Sequence, residues 1–92
     1  MIRLNCFFQA NSDADYKTAL AAAIELTLAS QKHEGNIAYD TFQSATRPDV
    51  FMICETWKDA ESLDKHSATD EFAKNVAIIN SCGLLKLEKF EF

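Results

Sequence analysis

The stretch "NIAYDTFQSATRPDVFMICETW", residues 36–57, holds two runs rich in β-branched and aromatic residues, 36–43 and 50–57, on either side of a short polar connection. Pro48 has no backbone N–H to give a sheet, so it suits the connection. The two runs read as an antiparallel hairpin. In the second run Val50, Met52 and Cys54 alternate with Phe51 and Ile53, and successive side chains of a strand point to opposite faces. That strand is therefore apolar on both sides until Glu55 and Trp57 join the row of Phe51 and Ile53.

Upstream, "IRLNCFFQ" at 2–9 sets Ile2, Leu4, Cys6 and Phe8 against Arg3, Asn5 and Phe7, which again has the period of a strand. "NSDAD" follows, where Asn11 or Ser12 can cap a helix and Asp13 and Asp15 oppose the positive end of its dipole. The helix is expected to run to about Lys32, burying Tyr16, Leu20, Ala23, Ile24, Thr27 and Leu28, with Gly35 closing the unit. Downstream, Asp59 can cap a second helix from Ala60. "SATD" at 67–70 can interrupt it and recap it through Ser67 or Thr69, after which Phe72, Val76 and Ile79 recur at helical spacing. Gly83 stops that helix and "LLKLEKFEF" reads as a final strand.

The order strand, helix, strand, strand, helix, strand over a single domain, 1–92, predicts an α+β, ferredoxin-like antiparallel sheet with two helices on one face. Two helices leave the other face of a two-sided apolar sheet bare, and soluble monomers rarely expose such a surface. A second copy packed sheet to sheet is the expected cover.

The net charge of −5 and the lack of any Lys/Arg cluster argue against nucleic acid as a partner. No uncharged apolar run approaches the roughly 20 residues of a membrane span, and no secretory signal pattern opens the chain. A soluble, cytoplasmic protein is expected. Cys6, Cys54 and Cys82 are odd in number and lack CxxC spacing, which points to reduced thiols and to neither a metal site nor a disulfide framework. Phosphate-binding glycine loops, zinc spacings and nucleophile elbows are all missing from the sequence. No cofactor is expected.

The polar residues among apolar ones are the chemical candidates. Glu55, on an apolar row, needs a partner or an altered protonation state; His66, three residues after Leu63 on one helical face, is its nearest candidate in sequence. The plainer reading leaves Glu55 in water at a strand end and His66 at a helix end. Asn5 is unusual in a strand; its amide either holds a substrate oxygen or satisfies the backbone at a bulge. Trp57 and Tyr39 read equally as core aromatics, and His33 as a basic residue at a helix C-terminus.

"HEGNIAYD" at 33–40 followed by "FMICETWKDAESLDKHSATDEF" at 51–72 resembles the antibiotic biosynthesis monooxygenase family, through Glu34, Gly35, Tyr39, Phe51, Glu55, Trp57, Leu63, His66 and Phe72. The resemblance implies a dimeric α+β barrel with a pocket in each copy between sheet and helices. It implies oxygenation of a small aromatic or quinol-like compound that is itself the reductant, without metal or flavin. His66 would be the base and Asn5 would stabilise the oxyanion or peroxide. Glu55, Trp57, Tyr39, Phe51 and Phe72 would bind the substrate. Haem-degrading members carry tryptophan in place of His66 and an iron-ligating histidine in place of Val76, so haem is not implied here. An isomerase of a hydroxy-carbonyl metabolite and a non-catalytic ligand-binding dimer are the alternatives within the same fold.

Overall fold

The structure, a computed structural model, describes residues 1–92. Strand β1 (Ile2–Ala10) leads into helix α1 (Asp13–Ser30), and the predicted hairpin forms from β2 (Asn36–Gln43) and β3 (Val50–Trp57). Helices α2 (Ala60–Ser67) and α3 (Asp70–Cys82) then precede β4 (Gly83–Glu91). All strand pairs are antiparallel and the sheet order is β2-β3-β1-β4. This is the ferredoxin-like arrangement, with its second helix broken in two. No helix is long and apolar enough to cross a membrane.

The breaks and starts follow from short polar side chains. Ser12 accepts from the Asp15 N–H, Asp59 from the Ser62 N–H and Thr69 from the Phe72 N–H, so each helix has its cap. Thr69 also donates to the His66 carbonyl at 2.8 Å, tying the start of α3 to the end of α2.

Strand alternation decides which residues meet the helices. Ile2, Cys6 and Phe8 of β1 and Phe51, Ile53, Glu55 and Trp57 of β3 are buried beneath them. The register places Tyr39, Glu55, Leu4 and Lys89 in one row across this inner face, and Thr41, Ile53, Cys6 and Leu87 in the next. The outer face carries Phe42, Met52, Phe7 and Lys86 in one row and Asp40, Cys54, Asn5 and Glu88 in another.

The buried face of α1 includes Ala23 and Thr27 of the expected stripe, with Tyr16 and Leu20 partly buried beside it, but not Ile24 and Leu28. Ala19, Ala22, Ala23, Leu26 and Thr27 are buried, while Ile24 and Leu28 are 48% and 58% exposed. Three alanines bring the helix backbone close to its neighbours, and that choice of face turns Ile24 and Leu28 outward.

Gly35 has φ of 79°, in the left-handed region that favours glycine, and a Cβ added there would collide with the Ser62 hydroxyl and Cβ. The Gly35 carbonyl accepts from the Lys58 N–H at 2.8 Å, so this tight crossing anchors the entry to α2. Gly35→Ala is expected to lower the unfolding free energy by more than about 1 kcal/mol, read as a lower urea midpoint at unchanged slope. An unchanged midpoint would show that the crossing is not needed.

Candidate functional site

The two inner rows of the sheet and the helices above them enclose a cavity of about 250 Å³. Its floor is Leu4, Cys6, Ile53, Glu55 and Tyr39, and its roof is Leu26, Leu63, Phe72, Val76 and Ile79. At the β4 edge the wall is Leu85, Leu87 and Lys89, opposite Asp64 and Ser67 of α2. Leu87 is 63% exposed, so the mouth opens along this edge strand. A shallower groove between α1 and α3 is larger, at about 590 Å³, but it is open to solvent and flanked by the Lys74–Glu25 ion pair at 3.1 Å.

Glu55 is the one carboxylate buried in the floor. Trp57, two residues on and on the same side of β3, donates its indole N–H to Glu55 Oε1 at 2.8 Å. The Cys6 thiol, from the neighbouring strand, lies 3.7 Å from Oε2. Burial raises the affinity of Glu55 for its proton, and the bonds from Trp57 and Cys6 oppose that only in part. Burial, then the nearby Glu55 charge, also pushes the Cys6 thiol and the Tyr39 phenol up. The floor is thus a polar point in an apolar chamber, able to accept a proton or to hold a hydroxyl.

His66 sits one layer behind this wall. Its ring lies 4.5 Å from Trp57, 5.6 Å from Tyr39 and 5.1 Å from Phe72 between centroids, and the residue is 1% exposed. Its hydrogen-bond partner is not Glu55. His66 Nδ1 is 2.9 Å from His33 Nδ1 and 3.5 Å from the Ser30 hydroxyl.

The structure brings some of the sequence candidates together and separates others. Glu55, Tyr39 and Phe72 line the cavity, and Trp57 and His66 back it. Phe51 lies farther along the core, its ring 4.6 Å from Phe8, and is not in the wall. Asn5 projects from the opposite side of the sheet, because its neighbours Leu4 and Cys6 both line the cavity. The sheet itself stands between Asn5 and the chamber, which corrects its expected place in the pocket. His33, read from sequence as a helix-terminal residue, instead reaches His66 through one nitrogen and Glu71 Oε1 through the other at 2.8 Å. Cys6 was legible as an inward strand position, but its proximity to Glu55 depends on strand register.

Val76 offers an apolar side chain to the roof. No group of three or more His, Cys, Asp or Glu side chains is placed to hold a metal ion.

The sequence pattern of the family described as "Antibiotic biosynthesis monooxygenase" matches residues 1–77. The candidate monooxygenase YcnE of Bacillus subtilis (strain 168) is 34% identical over 58 residues, a match covering 63% of this chain and 61% of that protein. The chain thus spans under two thirds of that relative's length. A crystal structure from Bacteroides thetaiotaomicron, of a conserved protein of unknown function described as a possible oxidoreductase, is 56% identical, with a TM-score of 0.94 over 99% of this chain and 96% of that one. The cofactor-independent oxygenase SnoaB from Streptomyces nogalater, in a variant form, shares the fold at 10% identity, with a TM-score of 0.80 over 99% of this chain and 91% of that one.

The raised proton affinity of Glu55 has a defined effect on stability. A carboxyl that holds its proton more tightly when folded contributes most at low pH, and that contribution is lost as pH rises through its folded value. Glu55→Gln keeps the shape without the titration. Between about pH 4 and pH 8 the unfolding free energy of the variant should gain on the wild type by on the order of 1 kcal/mol, measured by urea unfolding at each pH. A difference that stays flat would mean that burial does not control this carboxyl.

Proposed function

Because the chain belongs to the antibiotic biosynthesis monooxygenase family, we propose that it oxidises a small, flat, hydroxylated aromatic or quinol-like compound with dioxygen and without a cofactor. The observation that carries this reading is the apolar cavity with Glu55 at its floor. Phe72 and Tyr39 give the walls for a flat ring. Glu55 takes the role expected from sequence for His66, because it lines the cavity and His66 stands behind Tyr39 and Phe72.

The chemistry asks little of the protein. Glu55 accepts a proton from the substrate, and the resulting anion gives an electron to dioxygen. Recombination forms a carbon–oxygen bond. For a ring carbon carrying two hydrogens, loss of water from the hydroperoxide leaves a carbonyl, so CH2 and O2 become C=O and H2O. The substrate supplies both electrons for reduction of the second oxygen atom. A water-poor chamber protects the anion and the peroxide, and a fixed carboxylate at the floor is matched to the proton transfer.

A homodimer belongs to this reading. Phe7, Phe42 and Leu84 are 41%, 52% and 58% exposed on the outer face, beside half-buried Met52 and Val50. An apolar cluster of this kind favours burial against a second copy.

Metal-stripped protein offered a panel of quinols and anthrones should consume oxygen above background with at least one of them. Glu55→Gln should lower that rate by about 100-fold or more. No oxygen uptake across the panel would overturn the proposal; solvent deuterium entering a hydroxy-carbonyl compound without oxygen uptake would replace it with the isomerase reading. For the assembly, light scattering should give the mass of two chains, and Met52→Lys should give the mass of one with unchanged circular dichroism. A wild-type mass of one chain would contradict the dimer.

A further inference from the structure

His33 lies just after α1, His66 near the end of α2 and Glu71 at the start of α3, and the three meet where those helix ends converge. Glu71 Oε1 is 2.8 Å from His33 Nε2, and His33 Nδ1 is 2.9 Å from His66 Nδ1. Glu71 is 41% exposed on its side chain and His33 is 16% exposed, while His66 is closed off from solvent. The line of three groups runs from the surface to the layer behind the cavity wall.

Hydrogen-bond logic fixes where the protons sit. An ionised carboxylate only accepts, so His33 Nε2 carries a hydrogen. If His33 is neutral, its Nδ1 is then bare, and at 2.9 Å the His66 Nδ1 must be the donor. His66 Nε2 is left with an open lone pair. If His33 is the cation, both its nitrogens donate, His66 Nδ1 accepts and His66 Nε2 carries the hydrogen. These two arrangements differ by one proton and by nothing else in heavy-atom geometry.

His66 Nε2 is buried without a hydrogen-bond partner. A buried nitrogen left without a partner is suited to a hydroxyl or water as its partner.

We propose that Glu71, His33 and His66 form a proton relay, in which His66 Nε2 takes a proton from a hydroxyl, of water or of a ligand, that reaches it behind the cavity wall, while its Nδ1 proton passes to His33, which Glu71 holds toward solvent. The O–H bond of the hydroxyl breaks and an N–H bond forms at His66 Nε2. The N–H bond at His66 Nδ1 breaks and one forms at His33 Nδ1, so the positive charge comes to rest on His33. His66 itself is never a cation. Burial, with the neighbouring His33, holds its imidazole down at about 4, which disfavours a charge there at neutral pH. The hydrogen bond from His33 likewise keeps the Glu71 carboxyl below its ordinary range, ready as a counter-ion.

Other charges do not take over these roles. Glu55, from β3, is engaged by the Trp57 indole, whose ring lies between it and His66. Lys65, beside His66 on α2, lies 3.5 Å from Glu61 and 3.9 Å from Glu34. Ser30 of α1 lies 3.5 Å from His66 Nδ1, the Tyr39 ring of β2 packs 5.6 Å from the imidazole, and Thr69 of the α2–α3 junction bonds only the His66 carbonyl. His33 and Glu71 are positioning residues that act through His66. Only the assignment of the hydroxyl to a substrate rests on the function proposed above.

Nitrogen NMR of the full chain carrying isotope-labelled histidine tests the relay without any substrate. At high pH His66 should show the Nδ1–H form with a bare Nε2. As pH falls it should switch to the Nε2–H form at the same midpoint at which His33 becomes doubly protonated. Glu71→Gln, which removes the counter-charge, should move that switch to lower pH. His33→Asn, which keeps a hydrogen bond but cannot pass a proton, should abolish the switch and leave His66 to protonate only below the ordinary histidine range, where burial holds it. A wild-type His66 in the Nε2–H form at high pH, separate midpoints for the two rings, or a switch unmoved by either variant would overturn the proposal. Because no turnover is measured, these outcomes stand apart from those that test the oxygenase reading.

Discussion

The hydrogen bond from the Trp57 indole to Glu55 is the contact on which the site depends. A fully buried indole needs an acceptor for its N–H, and a buried carboxylate needs a donor for its oxygens. Placed two apart on β3, the two residues supply each other from the same side of the strand. That pairing lets an acid sit on the inner face of a sheet without a cation beside it. Desolvation then tunes the acid, because no positive charge is close enough to pin it in the ionised form.

Trp57 also divides the titratable groups into two layers. On one side Glu55 faces the cavity with Cys6 and Tyr39; on the other, His66 packs against the indole and turns its Nδ1 toward His33 and the surface. The two layers suit different tasks. The inner one meets a ligand in an apolar setting, and the outer one connects the interior to Glu71 at the protein boundary. Helix ends make the second layer possible, since the caps at Asp59 and Thr69 and the crossing at Gly35 bring three separate segments to one place.

Much of this was legible in the residues. The alternation in β3 puts Glu55 and Trp57 on the inner side, Pro48 marks the hairpin connection, and "SATD" marks the break between α2 and α3, where of Ser67 and Thr69 it is Thr69 that caps. What failed did so where tertiary packing chooses among local options. On α1 the alanines, not Ile24 and Leu28, took the buried face, because close approach of backbones decided the orientation. Asn5 shared a strand with the cavity residues but not their parity. Glu55 needs a partner, as its apolar row implies, and that partner is the nearby Trp57 and not His66. The contact of His33 with His66 joins residues 33 apart in sequence, and no local pattern announces it.

The most direct test of the account is where a ligand goes. A crystal of the protein soaked with a flat hydroxylated aromatic compound should show the ring between Tyr39 and Phe72 with its hydroxyl within about 2.6–3.2 Å of Glu55. A ring bound instead on the outer face of the sheet near Asn5, with the chamber above Glu55 unentered, would contradict it.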